Sequence, residues 1–167
     1  GGQMYGHLKI GGHVGAFLNG WQNSLNSTGV RELGHWRTFL TSKAWYNLVP
    51  DQSHTVVTAG YGTYQTAASQ TFGSANDYVT TARTPDGTLV LAYTPVAHTL
   101  TVDMTKLAGS VTARWFDPAA GTYTSISGSP FSNTGTRNFT TPGNNSPGGG
   151  NGDWVLVLEA SGGGSSN

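Results

Sequence analysis

Apolar and polar positions change period once along this chain. From Val14 to Leu48 the apolar residues fall at helical spacing: Phe17, Trp21 and Leu25, then Val30, Leu33, Trp36, Phe39 and Leu40. Ser27-Thr28-Gly29 separates two predicted helices, with Thr28 placed to cap the second. From His54 onward the period is two, and β-branched or aromatic residues alternate with Thr and Ser. Tyr78-Val79 leads into the turn Pro85-Asp86-Gly87, and Leu89 to Tyr93 ends at Pro95. Leu100 to Met104 runs to Ala108-Gly109, and Val111 to Phe116 stops at Asp117-Pro118. A last strand, Trp154 to Glu159, follows the loop composition NNSPGGGNG of residues 144–152. Short strands at such even spacing predict a mainly β chain, an antiparallel β-sandwich of about eight strands. The expected organisation is a helical segment over 1–52, the sandwich over 53–160 and a disordered tail over 161–167.

Composition narrows the function classes. At 167 residues one domain, or one and a fraction, is expected. Charged residues make up only 10%, and 25 glycines with abundant Thr, Ser and Asn suit turn-dense β structure. Eight basic residues balance eight acidic ones, so no net field gathers phosphate backbones or anionic lipid, and nucleic acid is not expected as a partner. The absence of cysteine excludes disulfides, thiolate metal sites and a cysteine nucleophile. No apolar run reaches membrane-spanning length, so no membrane partner is expected. A Thr/Asn/Gly-rich surface with few lysines favours a secreted or periplasmic setting. The chain opens Gly1-Gly2-Gln3 with neither methionine nor signal sequence, which reads as a processed chain or a fragment.

A family resemblance runs through most of these positions. Tyr78-Val79, Arg83, Pro85-Asp86-Gly87, Tyr93, Val102-Asp103, Leu107-Ala108-Gly109, Trp115-Phe116-Asp117-Pro118, Gly121, Gly135-Thr136-Arg137 and Asp153 to Leu158 stand in order. Over 77–159 the chain resembles the small C-terminal β-sandwich named a collagen-binding domain. The part before it resembles the end of the (β/α)8 barrel of apiosidase-like glycoside hydrolases. There Tyr5-Gly6-His7 is similar to a loop after the eighth strand, Trp21 and Leu25 to Gly29 lead into the final helix, and Trp45 with Leu48 to Gln52 exits to the sandwich. The resemblance therefore implies a helical segment left from a barrel. A whole barrel takes about 250 residues, and glycosidases need two carboxylates flanking the scissile bond. The glutamates here are Glu32, within a predicted helix, and Glu159, at the end of the last strand, and neither has an acidic partner in the sequence pattern. Kinship thus gives ancestry rather than glycosidase activity.

Other chemistry remains available. His7 and His13 lie in a glycine-rich segment that the resemblance places at an active-site mouth, as general base or metal ligands, with Tyr5 as a binding residue beside them; the competing reading is two loop histidines left over from the barrel. Asp51-Gln52-Ser53-His54 puts carboxylate, hydroxyl and imidazole within four residues, but triads come from separate segments, so a connector is expected. Asp77, Asp86, Asp103, Asp117 and Asp153 sit at predicted turns and strand edges, where calcium could find carboxylate and carbonyl oxygens. Among aromatics that could stack on sugars, Tyr61 and Tyr64 in the turn-rich Ala59–Tyr64 are better exposed candidates than Tyr123 or Trp115. One of Trp115 and Phe116 must face the core, since they alternate along a strand, and Trp154 is expected to seal it.

Two functions follow. One is a small hydrolase of lactone or ester bonds, similar in size and kinship to calcium-dependent acyl-homoserine lactonases, with His7 and His13 activating water. The other is a non-catalytic ancillary β-sandwich that binds carbohydrate or matrix protein. Helices shaped to cover a barrel need a new partner, because exposing each large apolar side chain costs roughly 1.5–3 kcal/mol. They are expected to fold back on the sandwich or to form a homodimer.

Overall fold

The computed structural model describes residues 28–64, 77–145 and 152–161. The second predicted helix is α1, Thr28–Thr41, while the first, through Phe17, Trp21 and Leu25, lies outside the described residues. A 3-10 turn at Trp45–Asn47 leads to β1 Val49–Pro50, β2 Val57–Ala59, β3 Thr80–Arg83, β4 Leu89–Thr94 and β5 Thr99–Asp103. A second 3-10 turn, Met104–Lys106, precedes β6 Val111–Asp117, β7 Thr122–Ser125, β8 Thr136–Thr140 and β9 Trp154–Ala160. One antiparallel sheet has six strands in the order β1-β3-β4-β9-β6-β7, and the other has three in the order β2-β5-β8. The predicted sandwich is present, with nine described strands where about eight were expected. Its first strand begins before residue 53, since Val49 and Pro50 pair with Arg83 and Ala82.

Alternation along the strands builds two cores. Between the sheets lie Val57, Leu100, Val102 and Phe139 from the smaller one and Val90, Ala92, Val111, Ala113, Trp115, Trp154, Leu156 and Leu158 from the larger. The opposite face of the larger sheet carries Leu89, Leu91, Tyr93, Phe116, Val155 and Val157, and this face packs against Trp36 and Phe39 of α1. Strands β4 and β9 are therefore buried on both sides, which is why they read as nearly unbroken apolar runs. Trp115 and Phe116 are both buried, one in each core, so the expectation that one must face inward is exceeded.

The helix has folded back on the sandwich. Trp36 and Phe39 are each 2% exposed, Phe39 stacks on Phe116 at 4.3 Å, and Trp36 meets Tyr93 at 5.8 Å. Their apolar surface is covered within one chain, which removes, for these two side chains, the need that argued for a homodimer. Two further contacts fix the helix. Lys43 just beyond it pairs with Glu159 on β9, which also accepts from Arg114 on β6. Near its middle the β6–β7 turn approaches so closely that a Cβ on Gly121, whose φ is +71°, would fall 2.8 Å from the His35 ring.

Candidate functional site

Four aromatic side chains form a continuous path from the core to solvent. Tyr61 packs against the core between the sheets. His54 stacks flat on it, with ring centroids 3.6 Å apart and planes 9° from parallel. Tyr78, just before β3, meets His54 edge-on at 5.8 Å, and its hydroxyl lies 3.3 Å from His54 Nε2. Tyr64 then meets Tyr78 edge-on at 5.3 Å and is 58% exposed. The two edge-on contacts, of Tyr78 with His54 and of Tyr64 with Tyr78, have the spacing and tilt at which aromatic rings attract through their quadrupoles.

The backbone under this path is tightly held. The amide of Val79 donates to the Tyr61 carbonyl at 2.8 Å, and the amide of Thr63 donates to Asp77 Oδ1 at 3.0 Å. Gly60 and Gly62 have φ of +78° and +71°, and a Cβ on either would lie within 2.4 Å of a neighbouring carbonyl, so both must be glycine. His54 has φ +52°, the only positive value at a non-glycine among the described residues. Such a conformation persists only where its surroundings impose it. Here the carboxylate of Asp51 does so, accepting from Thr55 N, Thr55 Oγ1 and Val56 N at 2.7 to 2.9 Å. Burial of the Asp51 carboxyl raises its pKa, but these hydrogen bonds outweigh that effect and hold it below the ordinary carboxylate range. Burial and the neighbouring Tyr61 and Tyr64 push the Tyr78 hydroxyl up.

A second cluster sits where α1 crosses the end of the larger sheet. Tyr93 donates to Asp153 Oδ2 at 3.2 Å, and Asn145 Nδ2 donates to both Asp117 Oδ1 and the Asp153 carbonyl. Burial, and less so Asp117, raises the Asp153 pKa against the lowering by Tyr93 and Asn145. Burial also raises Glu32, as do Asp153 and Asp117. The fold thus gives Glu32 acidic neighbours, which corrects the reading that it has none. At the far end of α1 the opposite holds. Burial alone would raise Glu159, but Lys43 and Arg114 overcome it and lower the pKa.

The family described as "Putative collagen-binding domain of a collagenase" matches residues 49–159. The chain belongs to that family. No curated protein matches it in sequence. Among solved structures it is similar to a glycoside hydrolase, at 20% identity and a TM-score of 0.59 over 84% of this chain and 27% of that one. It is also similar to a family 5 glycoside hydrolase from Bacteroides vulgatus, at 20% identity and a TM-score of 0.62 over 84% of this chain and 26% of that one. The chain spans about a quarter of the length of these proteins. At such identity the likeness is one of fold.

Within this member of the collagen-binding-domain family, the predicted site residues meet different fates. Tyr61 and Tyr64 are brought together through His54 and Tyr78, with Tyr64 exposed and Tyr61 half-buried. His7, His13 and Tyr5 lie outside the described residues. The Asp51–His54 stretch is a connector, as expected, because Asp51 serves backbone amides and His54 turns to Tyr78. Of the aspartates considered for calcium, Asp86 accepts from Thr88, Asp103 from Thr105, and Asp117 from the amides of Ala119 and Ala120. Those oxygens organise their own turns, and no three His, Asp or Glu side chains converge on a metal-sized site among the described residues. Trp115 and Trp154 are core, and Tyr123 lies under the Arg114 guanidinium at 4.4 Å. Sequence reasoning missed His54 and Tyr78. A tyrosine opening a strand and a histidine in a turn carry no local sign that they will meet.

Proposed function

We propose that this chain is a non-catalytic ancillary module of a glycoside-hydrolase-type protein, which attaches its partner to a carbohydrate or matrix surface. The observation that carries this reading is the family match, whose residues 49–159 take in all of β1 to β8 and most of β9. The use of the acidic side chains supports it. Glycoside hydrolysis requires two carboxylates facing each other across a substrate. Asp117 and Asp153 are instead engaged in hydrogen bonds that hold turns and strand ends together, and Glu159 is bound by two cations. Lactone hydrolysis, calcium-dependent or not, rests on His7 and His13, and nothing among the described residues adds to it.

Sedimentation with insoluble polysaccharides and with fibrillar collagen, run beside assays on aryl glycosides and a lactone panel with calcium and with chelator, tests the proposal. Depletion of the full chain from solution by one of these surfaces, with no turnover, is expected. Lactone opening that chelator suppresses would overturn it in favour of a small metallohydrolase.

A further inference from the structure

The aromatic path carries a more specific statement, which rests on the ancillary reading just given. We infer that Tyr64 is the stacking platform of a glycan-binding subsite, and that Tyr78, His54 and Tyr61 position it. A sugar ring offers axial C–H groups with slight positive charge, and these are attracted to the negative face of an aromatic ring. An exposed tyrosine normally loses side-chain freedom when a ligand immobilises it, and that loss opposes binding. Here Tyr78 holds Tyr64 by an edge contact at 5.3 Å, His54 holds Tyr78 by a ring contact and a 3.3 Å hydrogen bond, and Tyr61 anchors His54 to the core. The platform is ordered before any ligand arrives. Its support includes the strained backbone of His54, at φ +52°.

The surroundings select the ligand class. Thr63 precedes Tyr64 in the chain, and its amide donates to Asp77 Oδ1 at 3.0 Å, so hydroxyl and carboxylate oxygens lie along the same stretch of backbone, which suits a polyhydroxylated neutral ligand. A protein partner needs about 800 Å² from each side. One exposed ring with a polar rim falls well short of that, whereas it matches the footprint of one or two sugar units.

Affinity electrophoresis of the full chain tests this, in native gels containing galactomannan, xyloglucan or arabinan and in a gel containing gelatin. The expected result is retardation by at least one polysaccharide, a tenfold or greater loss of affinity in Tyr64→Ala, retention in Tyr64→Phe and no change in Tyr123→Ala. The thermal midpoint of Tyr64→Ala, an exposed position, should equal that of the wild type, which separates lost binding from lost fold. Wild-type retardation that Tyr64→Ala leaves intact would overturn the subsite while the ancillary reading stands. Retardation by gelatin alone would overturn the glycan class, and migration unchanged in every gel would overturn both subsite and module.

Discussion

The surroundings of Asp153 oppose its negative charge. Burial, and less so Asp117, raises its pKa, so the folded chain binds that proton more tightly than the unfolded chain does. A raised acid adds stability at low pH, and the contribution is lost as pH climbs from the ordinary aspartate range, about 3.9, through the raised value. Asp153→Asn keeps an oxygen for the Tyr93 hydroxyl and removes the charge. Its melting temperature should exceed that of wild type at pH 7.5 and show no such gain at pH 3.5. Glu159 carries the opposite sign. Lys43 and Arg114 lower its pKa despite burial, so its contribution is present above the ordinary glutamate range and lost as pH falls through the lowered value. Glu159→Gln should therefore depress the melting temperature at pH 7.5 and converge on wild type at acid pH, and parallel curves for the two variants would refute both assignments. Little of this was legible in the sequence. The glycine-rich stretch from Ala59 exposed Tyr61 and Tyr64 as candidates, because its turns bring side chains to the surface. The company of Glu32, and the meeting of His54 with Tyr78 24 positions along, depend on which strands lie side by side, and no local period encodes that.

Helix α1 was legible as an element, because Leu33, Trp36, Phe39 and Leu40 repeat at three and four residues, but its partner was not. The partner can be recognised in retrospect from β4 and β9. A strand covered on one face alternates, whereas Leu89 to Tyr93 and Val155 to Leu158 are apolar at every position, as two-sided burial requires. Two glycines measure how the helix is seated. Gly34 lies in the exposed middle of α1, and a Cβ there would meet nothing within 4 Å. Gly34→Ala should stabilise the fold by about 0.5–1 kcal/mol, since it removes unfolded-state freedom without a clash. Gly121→Ala should do the reverse, by about 1–3 kcal/mol, because it adds a left-handed penalty and presses on the His35 ring, whose Nδ1 lies 3.3 Å from the Pro118 carbonyl. Urea denaturation of both variants reads the pair. A neutral Gly121→Ala would mean that the β6–β7 turn is not docked on the helix.

At the scale of the molecule, helix, larger sheet and smaller sheet are three layers that share their central strands. β4 and β9 give one set of side chains to the core between the sheets and the alternate set to the core beneath α1, so neither core can open without exposing the other face of the same strands. This coupling predicts a single cooperative unit in which the helix does not detach before the sandwich melts. Phe39→Ala, which empties the stack on Phe116, should cost about 3–5 kcal/mol. That loss should reach the whole fold. Amide exchange in β4, β9 and β6 should accelerate together in this variant, by the factor that its loss of global stability implies, although Phe39 belongs to none of them. Exchange that accelerated in α1 alone would show the helix to be a separable arm laid on an independent sandwich, and the two cores would then have to be treated as distinct units of stability.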